Sequence, residues 1–551
     1  MSQNESSATS ARVRWLVVGA VSTAPTGRRF PLNVHTFGEE LTRAASHVRA
    51  TVPDRLGAGD TRTVELSFDK LRAFSLADVI THVPELRALH HLYETLSGTD
   101  PLRTLTPEEA ATRVATLTGP GRLPDAVAEA LRAAATPPPA AAPPAPAESG
   151  DDLVEALLNR ADAGTPAAAS RAVDAFLRAI NPRVPASPAP TTPPPAISQQ
   201  TARGLVEEAL LLTAKDILGA EPVARLESAW RGLKWLLDQA PASSGIAVEV
   251  LDVERPGLLD AVQGALSAEP FDRPDAVFIL DATDDTALLA RLAALGERAQ
   301  LPVVAAVSAS LVGVAPAELA VALEEERERV PEAWTELRQD EASRWLCAVI
   351  NRVVVASEGR GVARRVSFTS PALAVAAMLA ASFRDTSAFA RIMGQPGGLR
   401  APATWEVHGG LSIPTEHFLP IRAQARLEER GILGLGSGRN ADAVLLAAAP
   451  TAFGGGYAVP LPAQLLTGRI VRFATWVRDQ LPAGAAGDDV DAIFSQAAEV
   501  FLFRGATENG QLRGELVATD SGGRGVHVTA TVRPEHAGTR FQLAFTLPLR
   551  A

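Results

Sequence analysis

Residues 275–307 read DAVFILDATDDTALLARLAALGERAQLPVVAAV, and this stretch decides the fold class. Residues 275–280 read as a strand, 285–299 as a helix and 302–307 as a second strand. Strand, helix, strand in that order predicts a parallel βαβ unit with a right-handed crossover, because parallel neighbours need a long connection that packs back on the sheet. Upstream, 246–253 reads as a further strand. Residues 201–218 and 222–239 read as a long helical segment whose bulk comes from Leu226, Trp230, Leu233, Trp235 and Leu236. Downstream, 344–355 is a β-branched run, 371–383 a small-residue helix and 468–480 an amphipathic helix. Strands are predicted near 514–518, 525–532 and 539–549. The fold class is α/β, of mixed α+β character.

The front of the chain repeats this alternation on a smaller scale. Residues 13–19 (VRWLVVG) read as a strand, 37–51 as a helix and 63–68 as an alternating strand. Ser75 is placed to cap a helix beginning at Leu76, since its hydroxyl can accept from the unpaired amides of the first turn. Pro84 restarts the helix, with Leu86, Leu89, His90, Tyr93 and Leu96 on one face. Proline marks the boundary that follows: 14 of the 41 prolines fall between Pro137 and Pro195. Such tracts are extended and have little to bury. The expected organisation is a small α/β region at 1–135, a Pro/Ala-rich linker at 136–199 holding an amphipathic helical insert at 151–180, and a larger α/β region at 200–551.

Composition narrows the function classes. At about 150 residues per domain, 551 residues suggest three to four folded units. Hydrophobic residues at 46%, charged residues at 21% and aromatics at only 5% describe a globular chain packed mainly by aliphatic side chains. A net charge of −11 gives no global reason to expect nucleic acid or an anionic membrane surface as partner. A single cysteine, Cys347, excludes an intramolecular disulfide framework and a multi-thiolate zinc site, which fits a reducing compartment. Residues 1–10 are polar and lack the pattern of a secretory signal. No apolar run approaches the roughly 20 residues needed to span a bilayer. The expectation is a soluble cytoplasmic protein without direct membrane insertion.

Catalytic candidates are few. Asp281, Asp284 and Asp285 follow a predicted parallel strand, where ligands collect in open α/β sheets and where paired carboxylates can hold magnesium. The competing reading is that Asp284 or Asp285 caps the next helix. Gly434-Leu435-Gly436-Ser437-Gly438 lacks the spacing of a dinucleotide fingerprint and the lysine of a phosphate loop, and reads as a turn. The nine histidines show no metal-ligand spacing. Cys347 lies in an apolar run and reads as a small buried hydrophobe, and Trp230 with Trp235 reads as core. No catalytic residue, cofactor or metal is expected.

A resemblance is more specific than any of these motifs. Arg29-Phe30-Pro31-Leu32-Asn33-Val34-His35-Thr36-Phe37 is followed in order by Val52-Pro53-Asp54-Arg55-Leu56, Val64-Glu65-Leu66-Ser67-Phe68 and Phe74-Ser75-Leu76-Ala77-Asp78-Val79, continuing to Leu89. Together these resemble the small contractile-sheath subunit of type VI secretion systems, TssB or VipA. Behind the first proline tract, Leu226-Glu227-Ser228-Ala229-Trp230-Arg231-Gly232-Leu233-Lys234-Trp235-Leu236 resembles the large subunit, TssC or VipB. So do the βαβ unit ending at Ser308, Pro414-Thr415-Glu416, Leu427-Glu428-Glu429-Arg430-Gly431-Ile432, Asn440-Ala441-Asp442-Ala443 and the closing 541–549.

The resemblance implies a fusion of the two subunits into one non-enzymatic structural protomer. Such a protomer assembles helically with copies of itself around an Hcp-like inner tube, meets baseplate proteins and powers ejection of the tube. It also implies that the insert, through Leu153, Val154, Leu157 and Leu158, is the helix that a ClpV-type AAA+ unfoldase recognises. The closing strand, through Phe541, Leu543, Phe545 and Leu547, is the candidate inter-subunit strand. The family's small subunit carries an N-terminal arm, and only about ten polar residues precede the first strand here, fewer than strand exchange between neighbours uses. Two other readings therefore stand beside it: a non-polymerising adaptor or cap of a contractile injection system, and a magnesium-dependent enzyme using the Asp281 cluster.

Overall fold

The computed structural model describes residues 13–96, 107–118, 121–135, 196–267, 273–407, 409–456, 460–482, 485–503, 510–518 and 523–549. Its longer strands begin with β1 (Val13–Gly19), β2 (Arg28–Leu32), β3 (Val48–Pro53), β4 (Thr61–Leu66) and β5 (Ile246–Asp252). They continue with β6 (Ala276–Thr283), β7 (Val303–Val307), β8 (Leu346–Ile350), β9 (Val353–Glu358) and β10 (Arg365–Thr369). Short pairings follow: β11 (Leu399–Arg400), β12 (Trp405–Val407), β13 (Leu411–Ile413), β14 (Ile432–Gly434), β15 (Gly436–Ser437) and β16 (Ala443–Leu445).

Seven strands form the main sheet in the order β14-β8-β7-β6-β1-β5-β2. The 275–307 stretch folds as read. β6 and β7 are adjacent and parallel, joined by the Thr286–Ala299 helix. Strand β1 is buried at every position except Arg14, as a strand flanked on both sides and covered on both faces must be. Its neighbours lie more than two hundred residues along the chain. β5 runs parallel to it from Val13↔Ile246 to Gly19↔Asp252, and β6 on the other side from Trp15↔Ala276 to Val18↔Ile279. β2 closes one edge, antiparallel to β5.

Helices cover both faces. On one, Leu288, Leu289, Leu292, Leu295, Trp334 and Leu427 pack on Leu16, Val18, Val277, Val303 and Leu346. On the other, the Pro371–Thr386 helix, rich in alanine and buried along most of its length, packs against β6, β7 and β8 and against the Glu221–Gln239 helix. Gly232 permits that last approach. A Cβ there would lie 2.0 Å from Thr369 Oγ1 and 2.7 Å from a Leu373 methyl group.

Three expectations are corrected. The helix expected at 37–51 ends at Ala44, and β3 begins at Val48. From Val48 the pattern has period two, with Val48, Ala50 and Val52 buried between exposed Arg49, Thr51 and Pro53; pairing with β4 completes a hairpin. The 344–355 run is two strands rather than one, because Asn351 takes a φ of 80° and turns the chain from β8 into β9. The 434–438 stretch is not a turn: Gly434 ends β14 beside β8, and Gly436–Ser437 forms β15 beside β16. Gly436 fits there because a Cβ would lie 2.7 Å from the Leu419 carbonyl oxygen, besides meeting the Gln424 side chain.

Strands β17 (Gly510–Ala518), β18 (Arg524–Val532) and β19 (Phe541–Pro548) form an antiparallel sheet in that order. It packs on the Leu461–Asp479 and Gly487–Phe501 helices through Phe494, Leu512, Val526, Val528 and Ile470. Within this core His536 is only 2% exposed. Burial, assisted by the charge of Arg469, pushes its imidazole down to about 4. The unfolded chain, titrating near 6.5, binds the extra proton first as pH falls. Stability is therefore complete above pH 6.5 and declines between 6.5 and 4, by about 3 kcal/mol in all. Urea midpoints measured across that window will show this slope in the native protein and lose it in His536→Phe.

The chain divides into two compact units. One comprises residues 1–54, 60–87 and 211–551, so the front strands and the rear sheet belong to it together. The other comprises 55–59 and 88–210. Its described part contains the Pro107–Thr118 and Arg122–Ala135 helices, which pack on one another. In the same unit Arg203 donates to Tyr93 Oη at 2.9 Å and lies over its ring.

Candidate functional site

The chain's front segment is stitched into the rear through one buried carboxylate. Glu227 is fully buried on the Glu221–Gln239 helix. It accepts two hydrogen bonds from Arg365, at 2.7 and 2.8 Å, and one from Arg231 at 2.7 Å. Both arginines also donate to the carbonyl oxygen of Phe74, at 2.9 Å from Arg231 and 3.1 Å from Arg365. Arg365 reaches Glu358 as well, and Glu358 accepts from the Leu76 amide at 3.2 Å. Burial works against the Arg365 charge, but the hydrogen bonds and charges of Glu227 and Glu358 outweigh it and hold its pKa above the ordinary value.

The turn that carries Phe74 is itself ordered. Phe68 and Phe74 stack at 4.0 Å, and the Ser75 hydroxyl accepts from the Asp78 amide, capping the Leu76–His82 helix. Trp230 makes a second stitch. Its Nε1 donates to the Val21 carbonyl at 2.8 Å, and its ring meets Phe37 edge-on at 5.3 Å. Asp275 makes a third, accepting from the Arg14 amide at 2.7 Å while pairing with Arg469 and Arg472.

These contacts concentrate on 21–76, and a family comparison falls on the same stretch. Residues 24–108 match the family described as "Type VI secretion system, VipA, VC_A0107 or Hcp2". No curated protein matches the chain. Among solved structures, a chain of the anti-feeding prophage baseplate aligns over 59% of this chain and 78% of its own, at 13% identity and a TM-score of 0.35. The anti-feeding prophage helical sheath in its contracted state aligns over 59% and 79%, at 15% identity and 0.33. The sheath tail protein Lin1278 from Listeria innocua aligns over 53% and 60%, at 12% identity and 0.32.

The VipA-like segment thus includes β2, the β3–β4 hairpin and the 71–76 turn that the arginines grip. Several polar residues and carbonyls in the rear of the chain hold its backbone together. The Pro414 carbonyl accepts from the Val354 amide at 2.8 Å, and Glu416 takes two hydrogen bonds from Arg352 at 2.8 and 2.6 Å. Burial alone would raise the Glu416 carboxyl, but Arg352 more than compensates and holds it below the usual range. Asn440 Oδ1 accepts from the Ser412 amide at 3.0 Å.

The three aspartates after β6 do not converge. Asp285 caps the Thr286–Ala299 helix, accepting from the Leu288 amide at 3.0 Å, and it and Asp284 are exposed. Asp281 turns instead into a crevice at the carboxyl ends of the parallel strands. Among the described residues no group of three or more His, Cys, Asp or Glu is arranged to hold a metal ion. Cys347 is fully buried, and burial pushes its thiol up to about 12, which removes it as a nucleophile at neutral pH.

Strand β19 forms an edge of its sheet, with Phe541, Leu543, Phe545 and Leu547 half-buried on the face toward the helices and the intervening residues exposed. Leu153, Val154, Leu157 and Leu158 lie outside the described residues, as do residues 1–12. Among the described residues no helix is long and apolar enough to cross a membrane. Sequence reading missed Arg365 as the partner of Glu227. The Glu227–Arg231 spacing of four was legible as a helical ion pair, but the strand residue 138 positions later carries no local signal.

Proposed function

We propose that this chain is a contractile-sheath-type structural subunit in which a TssB/VipA-like front and a TssC/VipB-like rear form one composite protomer. The observation that carries the reading is β1: a strand from the front of the chain lies between β5 and β6 of the rear, next to a segment that matches VipA. Two chains related in this way bury a central sheet between them and are not stable apart. Joining them covalently replaces a bimolecular association with an intramolecular one at high effective concentration.

In this reading the protomers stack helically around an Hcp-like tube, meet baseplate proteins at one end and carry out no catalysis. Work comes from a free-energy difference between two lattice states. The setting is cytoplasmic. The insert carrying Leu153, Val154, Leu157 and Leu158 is the handle for a ClpV-type unfoldase. The edge of β19 accepts or donates a strand between neighbours, since an edge presents unpaired main-chain groups.

Electron microscopy of the purified chain, alone and with its tube protein, tests the reading. Helical particles are expected, and the double substitution Ala544→Lys with Thr546→Lys, at exposed positions of β19, will abolish them while leaving the circular dichroism spectrum of the monomer unchanged. A native chain that stays monomeric with the tube protein would overturn helical assembly in favour of a cap or adaptor. Particles formed by the double variant would remove β19 from the interface.

A further inference from the structure

The Glu332–Leu337 and Ile421–Glu429 helices each run into an arginine, Arg338 and Arg430, and Trp334 joins the two ends by donating to the Arg430 carbonyl at 2.8 Å. A cation suits the carbonyl end of a helix, but Arg338 has no counter-charge. Its Nε donates to the Ala452 carbonyl at 3.1 Å. Its two terminal nitrogens have no acceptor among the described residues, and neither is shut away from water. Burial and the charge of Arg430 together hold its pKa below the ordinary arginine range, and no carboxylate offsets them. Arg472 is also held low, yet it pairs with Asp275. The acids near Arg338 are engaged elsewhere: Glu328 by Arg426 and Arg430, Asp340 by the Ala342 amide and Glu341 by Arg344.

The main chain is shaped around this guanidinium. A Cβ on Gly431 would lie 2.8 Å from its Nε, and one on Gly454 would lie 3.2 Å from its Nη2, so it rests against bare backbone. The Gly454 amide donates to the Arg338 carbonyl at 2.8 Å, which ties the glycine run to the arginine. Gly455 and Gly456 follow directly, and their amides reach no acceptor among the described residues. Gly456 is exposed and takes a φ of 59°, a conformation that glycine adopts without strain. The Phe453 ring lies under Gly455, where a Cβ would approach it to 2.9 Å, and the Arg344 guanidinium stacks on that ring at 3.7 Å. The start of the run is thereby fixed. Successive open amides beside a guanidinium are the donors of an anion site.

We propose that Arg338, with Arg430 and the Gly455 and Gly456 amides beside it, binds a phosphoryl oxyanion, either free phosphate or the end group of a phosphate monoester. The guanidinium fork matches two oxygens of such a group. A tetrahedral phosphoryl group then has a further oxygen for the amides, whereas a carboxylate spends both of its oxygens on the fork. Its charge of about −2 at neutral pH also answers both arginines. The site goes beyond the sheath reading and does not depend on it, since none of its residues belongs to 24–108 or to β19.

Titration calorimetry on the full chain at fixed ionic strength, with inorganic phosphate, phenyl phosphate and acetate each up to about 10 mM, tests the assignment. Phosphate is expected to bind saturably and at least about tenfold more tightly than acetate. Phenyl phosphate separates the sources: affinity equal to that of phosphate marks the end group of a larger molecule, and exclusion marks the free ion. Arg338→Lys keeps the charge without the fork and is expected to bind phosphate at least about tenfold more weakly. Arg338→Gln is expected to abolish binding yet to melt no lower than the native chain in phosphate-free buffer, because it removes a half-buried charge that lacks a counter-ion. No saturable phosphate binding, acetate binding as tightly as phosphate, or native affinity in Arg338→Lys would each overturn the proposal. A lower melting temperature in Arg338→Gln with phosphate affinity unchanged would assign Arg338 to holding the Ala452 carbonyl alone, and would overturn it as well.

Discussion

Replacing Glu227 by alanine will cost about 3–5 kcal/mol of folding stability, because it strands Arg365 and Arg231 without their carboxylate. Arg365 is 9% exposed at its side chain and Arg231 20%, so neither can recover full hydration in place. The loss is not confined to one ion pair. Both guanidinium groups hold the Phe74 carbonyl, and Arg365 also holds Glu358, which caps the Leu76 amide. Freed of Glu227, they lose the restraint that aims them at the VipA-like segment. Guanidinium denaturation read by tryptophan fluorescence measures the effect, and a shift worth less than about 1 kcal/mol would show that the network holds little. Glu227→Gln keeps the shape and part of the hydrogen bonding, so its cost falls between native and alanine.

Trp230→Ala will cost a similar amount, about 3–5 kcal/mol, through a different mechanism. The side chain is fully buried, and its removal leaves a cavity between the Glu221–Gln239 helix and the segment that carries Phe37 and Val21. Trp230→Phe preserves most of the ring volume and forfeits the hydrogen bond to the Val21 carbonyl, about 1 kcal/mol of the total. A double-mutant cycle with Phe37→Ala will return a coupling of about 0.5–1.5 kcal/mol if the edge-on contact stabilises the join. A coupling near zero would mean that the two rings are merely neighbours.

Much of the architecture was legible because its signals are local. The 275–307 stretch carries strand and helix periods in succession, and the structure places β6, its helix and β7 where the pattern indicates. Ser75 and Asp285 cap the helices they precede, since capping depends on residues three positions apart. The errors lie where two periods compete or where a single residue redirects the chain. Residues 45–53 hold apolar side chains that suit a helix continuation, but pairing with β4 selects the strand. The 344–355 run contains no proline or glycine to announce a break, and Asn351 makes one by adopting a left-handed conformation held by hydrogen bonds from its amide to the His417 and Leu435 carbonyls.

The candidate sites divide in the same way. Cys347, Trp230 and Trp235 were identifiable as core from the apolar residues around them. The crevice beside Asp281 was only half visible, as an aspartate past the end of a parallel strand. Its other walls, Arg225 and Thr369, come from a helix and a strand remote in sequence, and no spacing rule connects them.

By itself the sequence determined the secondary elements with a clear period, the helix caps and the likeness of residues 29–89 to a sheath subunit. Only the tertiary structure decided that a strand near the start of the chain lies at the centre of a sheet built by its rear, and that Glu227, Arg365 and Phe74 meet. The physical reason is range. Helix and strand periods and caps arise from neighbours within a few residues, whereas strand order and buried ion pairs are chosen by which distant surfaces exclude water together.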